Sequence, residues 1–245
     1  MTDDKPKSFD IFGIRPLAEA INTLTKGAVD GAGAFLSRIC LPAAEEFGLM
    51  LRDKVSSWRA KNAVAIIQKA EKKLNEHSTI GNKHAHPRLV TTAINEGSWT
   101  DNDQVQDMWA GLLASSCTED GKDEGNLIFM NMLSQLTSTQ AIILDYSCVT
   151  AVKVVSEAGW IYSENLSKDV ADMQKVSGIF DVQRLDRELD HLRSLNLIVG
   201  GFHPHSKTAN ITPTSLALHM YVRCQGYVGS PTEYFDLDEN PQPPT

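Results

Sequence analysis

Two His-x-His pairs, His84-Ala85-His86 and His203-Pro204-His205, carry the residue type best suited to a transition metal. On a strand, alternate residues point the same way, so such a pair needs only a further ligand to hold zinc. Both pairs fall in segments that read as loops, with no CxxC, no HExxH and no neighbouring carboxylate cluster. Loop histidines are therefore the favoured reading, and no metal or other cofactor is expected. The carboxylate pairs Glu45-Glu46 and Asp101/Asp103 stand at helix starts, where acidic side chains satisfy free amides and the helix dipole. The cysteines Cys40, Cys117, Cys148 and Cys224 are far apart in the chain. Most sit in apolar stretches, where a reduced thiol acts as a small hydrophobe. The chain has no GxxxxGK[ST] and no GxSxG, and Gly31 and Gly33 do not follow a strand. No catalytic residue is nominated. A non-enzyme is favoured, and a nuclease with an unfamiliar site is the enzymatic alternative.

Charge is more informative. The segment from Leu51 to Asn75 holds Arg52, Lys54, Arg59, Lys61, Lys69, Lys72 and Lys73 against only Asp53 and Glu71. Arg52, Lys54, Arg59, Lys61 and Lys69, with Trp58 as an anchor or a core residue, make the candidate binding surface. Its chemistry would suit nucleic acid, anionic lipid or an acidic partner, against the plainer reading of a solvated helix face neutralised from elsewhere. Further along, Arg184, Arg187, Arg193 and Lys207 are candidate contacts of a second module. There, Asp181, Asp186, Glu188 and Asp190 nearly cancel the basic residues. A DNA reader needs a surplus of cations, so protein docking is favoured for this module.

The elements that must position these groups are mainly α-helical. Residues 1–14 read as a flexible leader and 15–158 as a helical domain. Pro16 opens its first helix, Gly31-Ala32-Gly33-Ala34 is a small, flexible stretch, and one long helix runs over about 43–76. Pro87 opens a further helix, and Thr100 to Asp103 reads as a capping box. The next helix carries Val105, Met108, Trp109, Leu112 and Leu113 on one face. Thr137 to Gln140 is a second capping box, before a helix over Ala141 to Val155. Residues 159–226 read as a winged-helix-like module. In it Asp181 caps a helix with Leu185, Leu189 and Leu192 inside and Arg184, Arg187, Glu188 and Arg193 outside. A short hairpin of Leu197 to Gly200 and Ala209 to Thr212 follows, and Pro213 opens a closing helix. Residues 227–245 read as an acidic, proline-containing, disordered tail.

Composition sets outer bounds. The 245 residues are 42% hydrophobic and 22% charged with a formal net charge of −8, as in an ordinary globular protein and not a whole-surface polyanion binder. The start, Met1-Thr2-Asp3-Asp4-Lys5, lacks the layout of a secretory signal, so a cytoplasmic location is expected. The most apolar stretch, 28–51, is interrupted by Asp30, Arg38, Pro42, Glu45 and Glu46. Membrane contact there is not favoured over a buried helix or a homo-oligomer seam.

The run Cys40-Leu41-Pro42-Ala43-Ala44-Glu45-Glu46-Phe47-Gly48-Leu49, continued by Leu51 to Val55 and Trp58-Arg59, resembles the abortive infection alpha family of bacteria. His86-Pro87 and Asp107-Met108-Trp109-Ala110-Gly111-Leu112-Leu113-Ala114 add to the likeness, which covers roughly residues 15–225. The resemblance implies antiphage defence, in which infected cells stop growing or die before phage matures. It brings no active-site residues. The function expected is abortive infection through macromolecular binding, with a protein or phage component as partner. A winged-helix nucleic-acid regulator is the alternative.

Overall fold

The computed structural model describes residues 26–50, 57–77, 83–203 and 205–237. The leader, the helix expected from Pro16, Arg52, Lys54 and residues 238–245 lie outside the described residues.

Helix α1 (Lys26–Ile39) buries Val29, Ala32, Phe35, Leu36 and Ile39, steps of three and four that place them on one face. Gly31 to Ala34 is part of this helix instead of a flexible link. Gly33 lies on its buried face, and apolar packing offsets the roughly 1 kcal/mol that each glycine costs. Helices α2 (Leu41–Met50) and α3 (Ser57–His77) follow, both packed on α1. The junction that would make them one long helix falls at 51–56, outside the described residues.

Helix α4 (Pro87–Gly97) has proline in its first turn and the His86 ring accepting from the Arg88 amide. Helix α5 (Asp103–Ser115) is the axis of the structure. It packs most extensively on α3, and also on α4, on α6 (Leu127–Leu133), on α7 (Ser138–Thr150) and on α10 (Ser215–Cys224). Its buried residues run from Val105 to Ser115 with only Asp107 emerging. At Gly111 an added Cβ would collide with the carbonyl of Cys224, so glycine lets the backbones of α5 and α10 touch. The cap of α5 differs from expectation. Asn102 accepts from the Val105 amide, while Asp103 is drawn away by Lys69. The Thr137–Gln140 capping box is present as read.

Helix α7 stops at Thr150, short of the Val155 expected. Ala151 turns extended, and the β-branched Val154-Val155 enter a strand. Strand β3 (Lys153–Val155) pairs antiparallel with β4 (Ile161–Ser163), Val154 opposite Tyr162. This hairpin spans the boundary placed at 158/159, and one core cluster runs from Val29 to Cys224. A short pair, β1 (His84–Ala85) with β2 (Cys117–Thr118), stands elsewhere.

Strand β5 (Ser167–Asp169) then leads through α8 (Val170–Ser177) and α9 (Val182–Ser194) to β6 (Thr208–Asn210). β6 is the expected return strand, and its ladder is with β5. The strand expected at 197–200 is reduced to bridges, Ile198 with Pro213 and Phe202 with Ala209, supported by Val199 N donating to Thr212 O at 2.9 Å. Pro213 sits in that bridge, and Thr214 caps α10. The start of the expected disordered tail is packed instead. Ser230 and Glu233 box the turn α11 (Pro231–Tyr234), and Phe235 stacks on Tyr221 at 6.0 Å.

Candidate functional site

The basic residues of α3 mostly face partners on neighbouring helices. Lys69 Nζ lies 2.6 Å from Asp103 Oδ1, and Lys73 Nζ lies 2.9 Å from Asp107 Oδ2. Lys72 and Glu76 approach to 3.8 Å, and Glu71 meets Arg38 at 3.6 Å. Arg59 donates from Nε to Ser98 Oγ at 2.9 Å and from Nη2 to Asn95 O at 3.1 Å. Its guanidinium lies over the Trp99 ring at 4.2 Å. Asn62, one turn along, donates to Ser98 O at 3.0 Å, so α3 side chains satisfy the end of α4. Of the candidate surface, Lys61 is exposed and Trp58 is 44% exposed. Arg59 and Lys69 are engaged by α4 and α5.

Helix α9 is neutralised from within. Arg184 and Arg187 each lie 3.8 Å from Glu188, and Arg193 Nη2 lies 2.7 Å from Asp190 Oδ1. Lys207 stands exposed between the bridged segment and β6. Glu188, placed outside from its charge, is buried, because it lies three residues after Leu185 and four before Leu192 on the same face. Thr137 Oγ1 donates to it at 3.3 Å. Beside it, Gln140 Oε1 accepts from the Thr137 amide and meets His191 Nδ1, each at 3.0 Å. An amide oxygen only accepts, so His191 carries its proton on Nδ1.

Sequence reasoning missed the exposed aromatic side chains. Trp160 is 75% and Phe180 79% exposed, at the β3–β4 turn and just before α9. Val152 and Tyr162 are exposed near Trp160 in the chain, and Val182 near Phe180. Trp99 is 63% exposed beside Arg59. Aromatics outside any helical repeat are the signal that was available.

The chemistry of the described residues is quiet. No group of three or more His, Cys, Asp or Glu among them could hold a metal ion. The four cysteines are free and buried, and burial pushes the Cys117 thiol up to about 12 and raises Cys148 and Cys224 as well. A thiol so raised is a poor nucleophile. Burial, aided by nearby Asp107, also lifts the Asp145 carboxyl above its ordinary range. Among the described residues no helix is long and apolar enough to cross a membrane. A shallow cleft of about 140 Å³ lies between α2 and α4, lined by Phe47, Leu49 and Ile94 with Glu46 and Asn95.

A family model described as abortive infection alpha matches residues 61–211, more than half of the chain. No curated protein and no solved structure matches it.

Proposed function

The chain belongs to the abortive infection alpha family, and from that premise we propose that it serves antiphage defence of the abortive-infection type by binding a macromolecule and not by catalysis. The observation that carries the binding reading is the contrast on the C-terminal module. Every arginine of α9 faces a carboxylate of its own helix, while Phe180, Trp160 and Tyr162 stand in solvent. Paired cations release few counterions from a phosphate backbone, whereas exposed aromatics are the anchors of protein interfaces. A protein partner, from the phage or from the host, fits this surface better than DNA.

The order β5, α8, α9, bridged segment, β6, with β5 paired to β6, supports a winged-helix arrangement and favours a nucleic-acid regulator as the second reading. DNA affinity falling steeply with salt would favour it, and a flat response would count against it.

Growth of bacteria with and without the protein, challenged at low and high phage-to-cell ratios, tests the defence role. Protection at low ratio with collapse or arrest at high ratio is expected. Equal growth of diverse phages in both strains would overturn it.

A further inference from the structure

The β3–β4 hairpin has two apolar faces, and among the described residues only one is covered. Val155 and Ile161, cross-strand partners, are buried, and the carbonyl of Ile161 accepts from Ser215 Oγ at 2.6 Å at the start of α10. Side chains alternate along a strand, so Val152, Val154, Trp160 and Tyr162 share the opposite, outer face. The register supports this. Val154 is opposite Tyr162, Glu164 N donates to Val152 O at 2.9 Å, and Ser156 N donates to Trp160 O at 2.9 Å. Val152, Trp160 and Tyr162 are exposed, and Val154 is half-buried. A two-stranded hairpin gains little by itself from displaying a tryptophan and a tyrosine, each able to bury about 150–250 Å².

The charges around this strip select what can lie on it. Glu164 is on the same face at one end, and Glu157 is in the turn at the other, both exposed. The nearest cation in the strands, Lys153, is turned to the opposite side. It donates to Val149 O at 2.9 Å and lies over the Phe235 ring at 4.8 Å. An anionic membrane or a nucleic acid would meet carboxylates at both ends of the strip. A second copy stacked face to face would place carboxylate against carboxylate in either orientation.

We propose that the outer face of the β3–β4 hairpin is a docking surface for a protein segment whose apolar residues are bracketed by basic ones. Trp160 and Tyr162 are the anchors, and Glu157 and Glu164 select the flanking charges. This deepens the protein-binding reading above and rests on it.

The test uses the full chain and short fluorescent peptides with an apolar Val/Leu/Phe core, flanked by lysines or by glutamates. Fluorescence anisotropy is expected to show the lysine-flanked peptide binding about tenfold tighter than its glutamate-flanked counterpart. Trp160→Ser is expected to remove binding of both. The doubly reversed variant Glu157→Lys/Glu164→Lys is expected to invert the preference, an outcome that misfolding cannot imitate. Equal affinity for the two peptides, no binding of either, or binding unchanged in Trp160→Ser would overturn the proposal. So would a native mass showing a dimer that Trp160→Ser dissolves, or binding to vesicles of anionic lipid that the same substitution removes. Phage protection without a peptide preference removes this surface and leaves the defence role standing. A peptide preference without protection does the reverse.

Discussion

The Arg59 guanidinium lies 4.2 Å from the centre of the Trp99 ring, with its hydrogen bonds directed at Ser98 and Asn95. One cation from the basic stretch thereby fastens α3 to the C-terminal end of α4, where unpaired carbonyls and the helix dipole favour positive charge. Arg59→Ala is expected to lower stability by about 1–3 kcal/mol, seen as an earlier urea midpoint with an unchanged slope. Arg59→Lys should recover only part of the loss, because an ammonium has no planar fork that can reach both acceptors at its edge while its face covers the ring. An unchanged midpoint in Arg59→Ala would return Arg59 to the solvated face.

Lys61 behaves oppositely. It is exposed on α3, and among the described residues no carboxylate within ion-pair distance holds it. Lys61→Glu should leave the melting temperature within about 1 °C. If the basic face contacts the defence partner, the same change weakens protection in the phage challenge. Full protection by Lys61→Glu would place the contact elsewhere, with the aromatic hairpin first in line.

What was legible in the sequence follows from how strongly each signal is repeated. Helix α5 was readable because Val105, Met108, Trp109, Leu112 and Leu113 mark one face over about two and a half turns, and α7 and α9 because Thr137 and Asp181 cap them. Apart from β6, whose segment reads as a return strand, the strands were not readable, since three residues such as Lys153–Val155 hold barely one alternation, and a helix could absorb them. The basic surface was legible as charge but not as geometry. Nothing in the spacing of Lys69 and Lys73 reveals that Asp103 and Asp107, on another helix, come within 3 Å of them. Glu188 shows the same limit: the helical period marked its position as inward, while its charge argued outward.

Glycines on two helices should respond in opposite directions. At Gly111 a methyl group would strike the Cys224 carbonyl, a backbone atom that cannot step aside without moving α10. Gly111→Ala should therefore cost about 3 kcal/mol or more, or leave the protein insoluble. At Gly31, in the exposed part of α1, nothing lies within 4 Å of a new Cβ. Gly31→Ala should stabilise by up to about 1 kcal/mol. Thermal unfolding of both variants checks the pair, and two changes of the same sign would contradict the packing described.

The four thiols should be silent in the folded protein. All are buried, and burial holds Cys117 at about 12, so the thiolate is scarce at pH 8. A chromogenic disulfide reagent should react with all four only after denaturant is added, at a rate that follows unfolding. Rapid reaction of even one thiol in native buffer would show an opening between α1 and β2 or between α7 and α10.

Asp145 should set a pH dependence of stability. Its carboxyl is raised in the folded state by burial first and by Asp107 second, against a hydrogen bond from Gln104 that lowers it. A carboxyl raised in the folded state binds its proton there at pH values where the unfolded chain has already released it. Stability contributed by Asp145 is therefore greatest below the ordinary carboxylate range and declines as pH climbs through and just above that range. Asp145→Asn keeps the shape and removes the ionisation. Its stability relative to the unsubstituted protein should rise with pH from about 4 upward and level off once Asp145 is ionised in both states. Denaturant titrations of both proteins across that window read the difference directly. A difference that stays constant with pH would mean the carboxylate is as well solvated folded as unfolded, and would contradict its partial burial beside Gln104 and Asp107.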